Sequence, residues 1–261
     1  MNRLKNTSIV VIGGTTGLGL SAAKAFIAEG ATVVVMGRSP ESVTKAQEIL
    51  GNAGHAFSGD ATDSSSAETA IQLAKEHFGG FHGLYHVAGG SGRRMGDGPL
   101  HEMTDEGLEK TMLLNFNSLV YSNRAAVRAF LGEGKGGTIL NMGSVLGYSP
   151  SPKYFSTHAY ASAKAAIIGF TKTTAAYYAK DNIRINVLAP ALVETPMAQR
   201  AAKDDIIQQF IKTKQPLDGG RIGRPEDLDE AAVFFMSEGS RFTTGQVLTV
   251  DGGWAVSEGQ F

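Results

Sequence analysis

Tyr160 and Lys164 stand four residues apart at the head of the apolar run Ala165-Ala166-Ile167-Ile168-Gly169-Phe170. On a helix that spacing puts both side chains on one face, so a phenol and an ammonium address one small volume. A free phenol ionises near pH ~10, too high for ready proton exchange at neutrality. A fixed cation beside it favours the phenolate and lowers that value, which makes Tyr160 a candidate general acid/base. The same spacing is common on amphipathic helices that do no chemistry, so the pair has meaning only if the rest of the chain builds a site around it.

A second cluster has the chemistry of phosphate binding. Gly13-Gly14-Thr15-Thr16-Gly17-Leu18-Gly19 separates the short β-branched run Ser8-Ile9-Val10-Val11-Ile12 from a helical pattern over 20–29. Strand, glycine turn and helix form the arrangement in which a pyrophosphate meets free N–H groups at a helix N-terminus. The next strand-like run, 31–36, stops at Gly37-Arg38-Ser39, with Pro40 placed for the first helical position after a Ser39 cap. In dinucleotide folds an acidic side chain here bonds the ribose hydroxyls of NAD, whereas Arg accommodates the 2′-phosphate of NADP. Arg38 and Ser39 therefore favour NADP(H), with NAD(H) the alternative.

Those residues need a scaffold, and the chain alternates strand and helix signals to supply it. After the first two strands, further strands are expected at 55–59, 83–87, 137–142, 183–188 and 246–250. Helices are expected at 63–78, from a Thr104 cap to about Leu131, around Tyr160, and at 225–237. The reading is an α/β fold, a Rossmann-like doubly wound parallel sheet of about seven strands with helices on both faces. No linker, repeat or low-complexity segment divides it, so residues 1–261 read as a single dinucleotide-binding and catalytic domain. Two loops break the rhythm. The glycine-rich 89–99 follows a strand end, where its Arg93 and Arg94 can meet an anionic substrate or a solvated salt bridge. The stretch 191–215 reads as a substrate lid or a surface helix pair.

Composition excludes several classes. Lys and Arg number 24 against 25 Asp and Glu, a formal net charge of −1 that argues against nucleic acid or an anionic membrane as partner. The chain has no cysteine, so disulfides, thiolate nucleophiles and Cys-based metal sites are out, and no metal site is read from the sequence. No apolar run is long enough for a membrane span, and the first strand follows residues 1–7 with no separate leader. A cytoplasmic protein is the expectation.

With these motifs in order, the chain resembles the classical short-chain dehydrogenase/reductase family over nearly its whole length, from Ser8 to Gly253. The glycine segment matches that family's cofactor turn, with Ile12 in place of the usual threonine. The resemblance places Asp60 and Ala61 at the adenine. Ala88-Gly89 ends an N-N-A-G motif whose two asparagines are here His86 and Val87. It implies a catalytic tetrad of Asn115, Ser144, Tyr160 and Lys164. Pro190, Val193 and Thr195 belong to a segment beside the nicotinamide, in which Ala191 replaces glycine. Gly223-Arg224-Pro225-Glu226-Asp227 and Asp251-Gly252-Gly253 match the C-terminal signature.

The implied activity is hydride transfer between NADP(H) and a carbonyl/secondary-alcohol pair. Tyr160 passes the proton, Lys164 lowers its pKa and holds the ribose, and Ser144 binds the substrate oxygen. Asn115 holds a water that relays protons from Lys164. The alternatives are an NAD-dependent alcohol or polyol dehydrogenase and a non-catalytic dinucleotide sensor. A small-molecule substrate and a homotetramer are also implied, with the helices after Thr104 and around Tyr160 between subunits. Ser144 and Tyr160 lie 16 residues apart, a few more than the family's habit, and the surplus in 149–158 is expected to bulge outward and shape substrate choice.

Overall fold

Val, Ile and Leu at successive positions cannot face water on either side, and the first strand, Ser8–Ile12 (β1), is buried at all five. Its residues divide by period: Ile9 and Val11 join one apolar cluster, Val10 and Ile12 the other. The computed structural model describes residues 2–259. Met1, Gln260 and Phe261, which the sequence reading includes in the same domain, lie outside the described residues.

In chain order β1 is followed by α1 (Gly17–Ala28), β2 (Thr32–Gly37), α2 (Pro40–Leu50), β3 (Gly54–Ser58), α3 (Ser66–Phe78) and β4 (Gly83–His86). Then come α4 (Asp105–Met112), a π-helical turn at Leu113–Asn117, α5 (Ser118–Glu133), β5 (Gly137–Met142), α6 (His158–Tyr178) and β6 (Ile183–Pro190). The chain continues through α7 (Gln199–Ala202), α8 (Asp205–Lys214), α9 (Asp229–Met236) and β7 (Val247–Val250). All seven strands run parallel in the order β3-β2-β1-β4-β5-β6-β7. This is the doubly wound sheet the sequence called for.

The strand order reverses between β1 and β4, so the crevice beyond their C-terminal ends is the ligand position of such a sheet. One face carries α1 and α9 over Phe26, Val33, Tyr85, Leu140 and Phe235. The other carries α3 and α5 over Val34, Ile71, Leu84, Phe130 and Ile139. A smaller third cluster lies off the sheet, where Val145, Ile207, Phe210, Ile211 and Trp254 are joined by Tyr154 and Phe155. The expected helix after Thr104 is present, capped by the Thr104 hydroxyl on the Gly107 N–H, but the π turn interrupts it. The stretch 191–215 contains α7 and α8, the latter capped by Asp204. No helix among the described residues is long and apolar enough to cross a membrane.

Candidate active site

Strand β5 ends at Met142, and two residues later Ser144 stands in extended backbone, its hydroxyl accepting from the Leu146 N–H at 3.2 Å. Helix α6 runs past it and presents Tyr160 and Lys164 from successive turns. The Ser144 hydroxyl lies near enough to the Tyr160 phenol to hold back the rise that burial gives its pKa. Lys164 is 3% exposed, donates from Nζ to the Met142 carbonyl at 2.8 Å, and lies 5.5 Å from the centre of the Tyr160 ring. Asn115 comes in from the π turn. Its Oδ1 accepts from the Gly90 N–H at 3.0 Å, while Nδ2 donates to the Gly90 and Thr111 carbonyls, both at 2.9 Å. The sequence-derived tetrad thus meets at the C-terminal ends of β4 and β5. The Asn115 side chain is taken up in pinning the glycine-rich loop to the π turn.

Electrostatically the group departs from the sequence expectation. Lys164 was to lower the Tyr160 pKa, but in the chain by itself burial raises the phenol above its ordinary value, opposed only by the Ser144 hydroxyl. Burial also brings Lys164 down to about 8. Spacing shows which side chains share a face; it does not show that both are desolvated, and desolvation disfavours phenolate and ammonium alike.

Beneath the site, buried polar groups lock three elements together. Asn123 on α5 and Asn141 on β5 exchange amide hydrogen bonds of 2.8 and 3.0 Å, and Asn141 also donates to Thr171 on α6 at 3.0 Å. His86, standing where the family has asparagine, lies between Ser122 (2.8 Å from Nδ1) and Ser118 (3.4 Å from Nε2). Burial, reinforced by the nearby Lys164 charge, brings its pKa to about 3, so it is a neutral strut between β4 and α5.

Asp97 escaped the sequence reading. It is 4% exposed, and its two carboxylate oxygens accept from the Ala159 and Tyr160 N–H groups, each at 2.9 Å. The carboxylate satisfies two orphan donors at the N-terminus of the helix that carries Tyr160. The available signal was an acid flanked by Gly96 and Gly98 beyond a strand end.

A dinucleotide fits the residues on the other side of the crevice. Gly13 has φ +87, and a Cβ there would lie 2.6 Å from the Ala88 nitrogen; one on Gly19 would lie 2.1 Å from the Gly13 carbonyl oxygen. The turn is therefore closed tightly against the end of β4. Thr16 makes no side-chain cap on α1, whose first turn carries no acid, so the helix terminus is available to an anion. Thr15 is buried and its hydroxyl meets that of Ser42 at 3.1 Å. Leu18 packs against the main apolar cluster, and Thr195 approaches to within 3.5 Å of where a Cβ on Gly17 would sit.

Arg38 is exposed at the end of β2, and Ser39 caps α2 by accepting from the Ser42 N–H. Asp60 accepts from the N–H and hydroxyl of Thr62, with Ala61 buried beside it. Gly89 lies against Asn115 and Lys164. Pro190 ends β6, and Val193 pairs with Gly223 in a short parallel bridge.

The extra segment before Tyr160 does not hang outward as expected. Ser151 and Thr157 are buried, Tyr154 stacks obliquely on Phe210 at 4.8 Å between ring centres, and Phe155 meets Trp254 edge-on at 5.8 Å. Two aromatic side chains bury more area by turning onto Phe210 of α8 and onto Trp254 than by facing water.

Residues 13–255 match the family model described as Enoyl-(Acyl carrier protein) reductase. The chain is 33% identical over 259 residues to 2-(S)-hydroxypropyl-CoM dehydrogenase 3 of Xanthobacter autotrophicus, covering 97% of this chain and 98% of that one. It is 32% identical over 253 residues to a 3-oxoacyl-(acyl-carrier-protein) reductase, FabG, of Chlamydia trachomatis, with 97% and 98% covered. A short-chain type dehydrogenase/reductase structure from Mycobacterium ulcerans superposes with a TM-score of 0.86 at 27% identity, over 97% of this chain and 91% of that one.

Proposed function

The chain belongs to the short-chain dehydrogenase/reductase family, and from that premise we propose that it is an NADP(H)-dependent reductase of a small carbonyl compound, with Tyr160 as general acid/base. The observation that carries this reading is the convergence of Tyr160, the Ser144 hydroxyl that holds back the rise in its pKa, and a buried Lys164 anchored on the Met142 carbonyl 5.5 Å from the phenol ring centre. The family's oxidoreductase chemistry interconverts CH–OH and C=O.

Gly13, Thr15, Thr16, Gly17, Leu18 and Gly19 would hold the pyrophosphate, with Asp60, Ala61, Ala88 and Gly89 along the adenosine and ribose. Pro190, Val193 and Thr195 would flank the nicotinamide, which supplies or accepts the hydride when bound. Ser144 would bond the substrate oxygen and stabilise charge developing on it. Tyr160 would give its proton to that oxygen in reduction and remove it in oxidation. The burial that raises the Tyr160 pKa keeps the phenol protonated at neutral pH, which suits the reductive direction. A pure dinucleotide sensor has no use for such a proton donor. Lys164, already bonded to Met142, would bring its charge beneath the ribose and the phenol.

Arg38 and Ser39 would read the 2′-phosphate. Arg38 is exposed at the tip of β2 and in no ion pair among the described residues, which leaves its guanidinium for a phosphate. The helices α7 and α8 would act as a lid, the whole chain as one domain, and the protein as a cytoplasmic homotetramer. Exposed Leu108, Leu113, Leu131 and Tyr177 on the helices α4 to α6 support the last assignment.

The test is kinetic. Tyr160→Phe should bind NADPH as tightly as the parent and lose about three orders of magnitude or more in turnover across a ketone panel; undiminished turnover would sink the assignment. Arg38→Ala should weaken NADPH about tenfold or more and leave NADH within about twofold. Equal loss for both would reject Arg38 as the reader of the 2′-phosphate, and a parent that prefers NADH would favour an NAD-dependent dehydrogenase.

A further inference from the structure

A cleft of about 220 Å³ opens among Arg93, Lys153, Tyr154, Ser156, Arg200, Asp204, Ile206 and Ile207. Its three cations come from three separate segments: the glycine-rich loop after β4, the extra residues before Tyr160, and α7. None of the three has an ion-pair partner among the described residues; Lys153 has only the Tyr154 ring, 5.2 Å from its Nζ. The single acid of the lining, Asp204, is engaged as the cap of α8, its Oδ1 accepting from Ile206 N–H at 3.0 Å and Ile207 N–H at 3.1 Å. Like charges gathered around one concavity repel, and a bound anion relieves that repulsion. Arg94, the neighbour of Arg93, does not line the cleft.

The lining segments also lead to the reacting groups. The Arg93 loop is held to Asn115 through Gly90 and to the Tyr160 N–H through Asp97. Lys153 and Ser156 lie on the run that enters α6. Ile207 belongs to the cluster built on Val145, next to Ser144. Beside the cations the lining offers the apolar surface of Tyr154, Ile206 and Ile207, which suits a short hydrocarbon spacer.

We propose that this cleft seats an anionic group, a carboxylate or a sulfonate, at the end of the carbonyl substrate remote from the reacting carbon. The assignment rests on the reductase reading above and deepens it. Charge at the mouth selects the substrate, while Ser144 and Tyr160 act on whatever carbonyl is thereby presented.

The experiment compares 5-oxohexanoate and 3-oxobutane-1-sulfonate with the methyl ester of the former. NADPH oxidation is followed alongside calorimetric binding to the NADPH-loaded protein. The parent should prefer both anions over the ester by about tenfold or more in kcat/KM, and the preference should fall as salt is raised. Arg93→Gln, Lys153→Gln and Arg200→Gln should each lower kcat/KM for the anions about threefold to tenfold, mainly through KM. They should leave the ester and the NADPH affinity unchanged. An ester turned over as well as the anions, or an anion preference that survives the triple variant, overturns the proposal while leaving the reductase reading intact. Anion binding that depends on the three cations without turnover of any ketone upholds the cleft and removes the reductase reading.

Discussion

Lys164 carries a charge in a place where charge is costly. Its pKa falls from 10.5 to about 8 because burial disfavours the ammonium. A base whose folded pKa is depressed binds fewer protons in the folded chain than in the unfolded one between those two values. Stability therefore rises as pH climbs from about 8 towards 10.5, and below about 8 the full penalty applies. The penalty is on the order of 3 kcal/mol. We expect the stability difference between the parent and Lys164→Met, measured by urea unfolding without cofactor, to move in the parent's favour over that alkaline window and to be flat below it. A difference flat across the whole range would mean the ammonium is not desolvated. The proposed activity retains this lysine at the expense of the fold, a trade expected where a side chain serves chemistry.

At the scale of elements, the informative contact is between the loop after β4 and the start of α6. Asp97 fixes the first turn of that helix through two main-chain N–H groups, so it sets where the Tyr160 phenol lies without touching the reaction. Asp97→Ala should lower kcat about tenfold to a hundredfold at nearly constant NADPH affinity. Asp97→Asn, which keeps one acceptor oxygen, should recover part of the loss; equal damage from both would reduce Asp97 to a packing residue.

This contact also shows what a sequence can and cannot tell. The strands were legible because buried parallel strands announce themselves by type: β1 and β5 have the expected bounds, and β6 runs only two residues further, to Pro190. That Ser144, Tyr160 and Lys164 come together was legible from spacing and resemblance. Asp97 was not, because its partners are backbone groups 62 and 63 residues away, which no side-chain pattern encodes. The π turn at Leu113–Asn117 was hidden for a similar reason, since Asn115 reaches Gly90 across 25 residues. The 149–158 segment was misjudged because length was visible and the aromatic surface waiting for it, Phe210 on α8 together with Trp254, was not.

On the scale of the whole molecule, two large apolar clusters flank the sheet, and the third stands apart, joining α8, the segment before Tyr160 and the C-terminal Trp254. The indole donates to the Ser149 carbonyl at 3.2 Å and sits among Phe155, Phe210 and the Lys214 ammonium. With few buried residues and no strand of its own, this cluster should open at lower free energy than the sheet. Trp254 is the chain's single tryptophan, so the protein carries a built-in optical gauge of that one corner. Excited selectively, its emission should report loosening around the cationic cleft at lower urea than the loss of far-ultraviolet circular dichroism from the sheet and its helices. Coincident transitions would instead mean that the corner and the sheet unfold as one. Because the indole lies beside the surface proposed to admit substrate, the same emission offers a label-free record of admission itself, in time as well as at equilibrium.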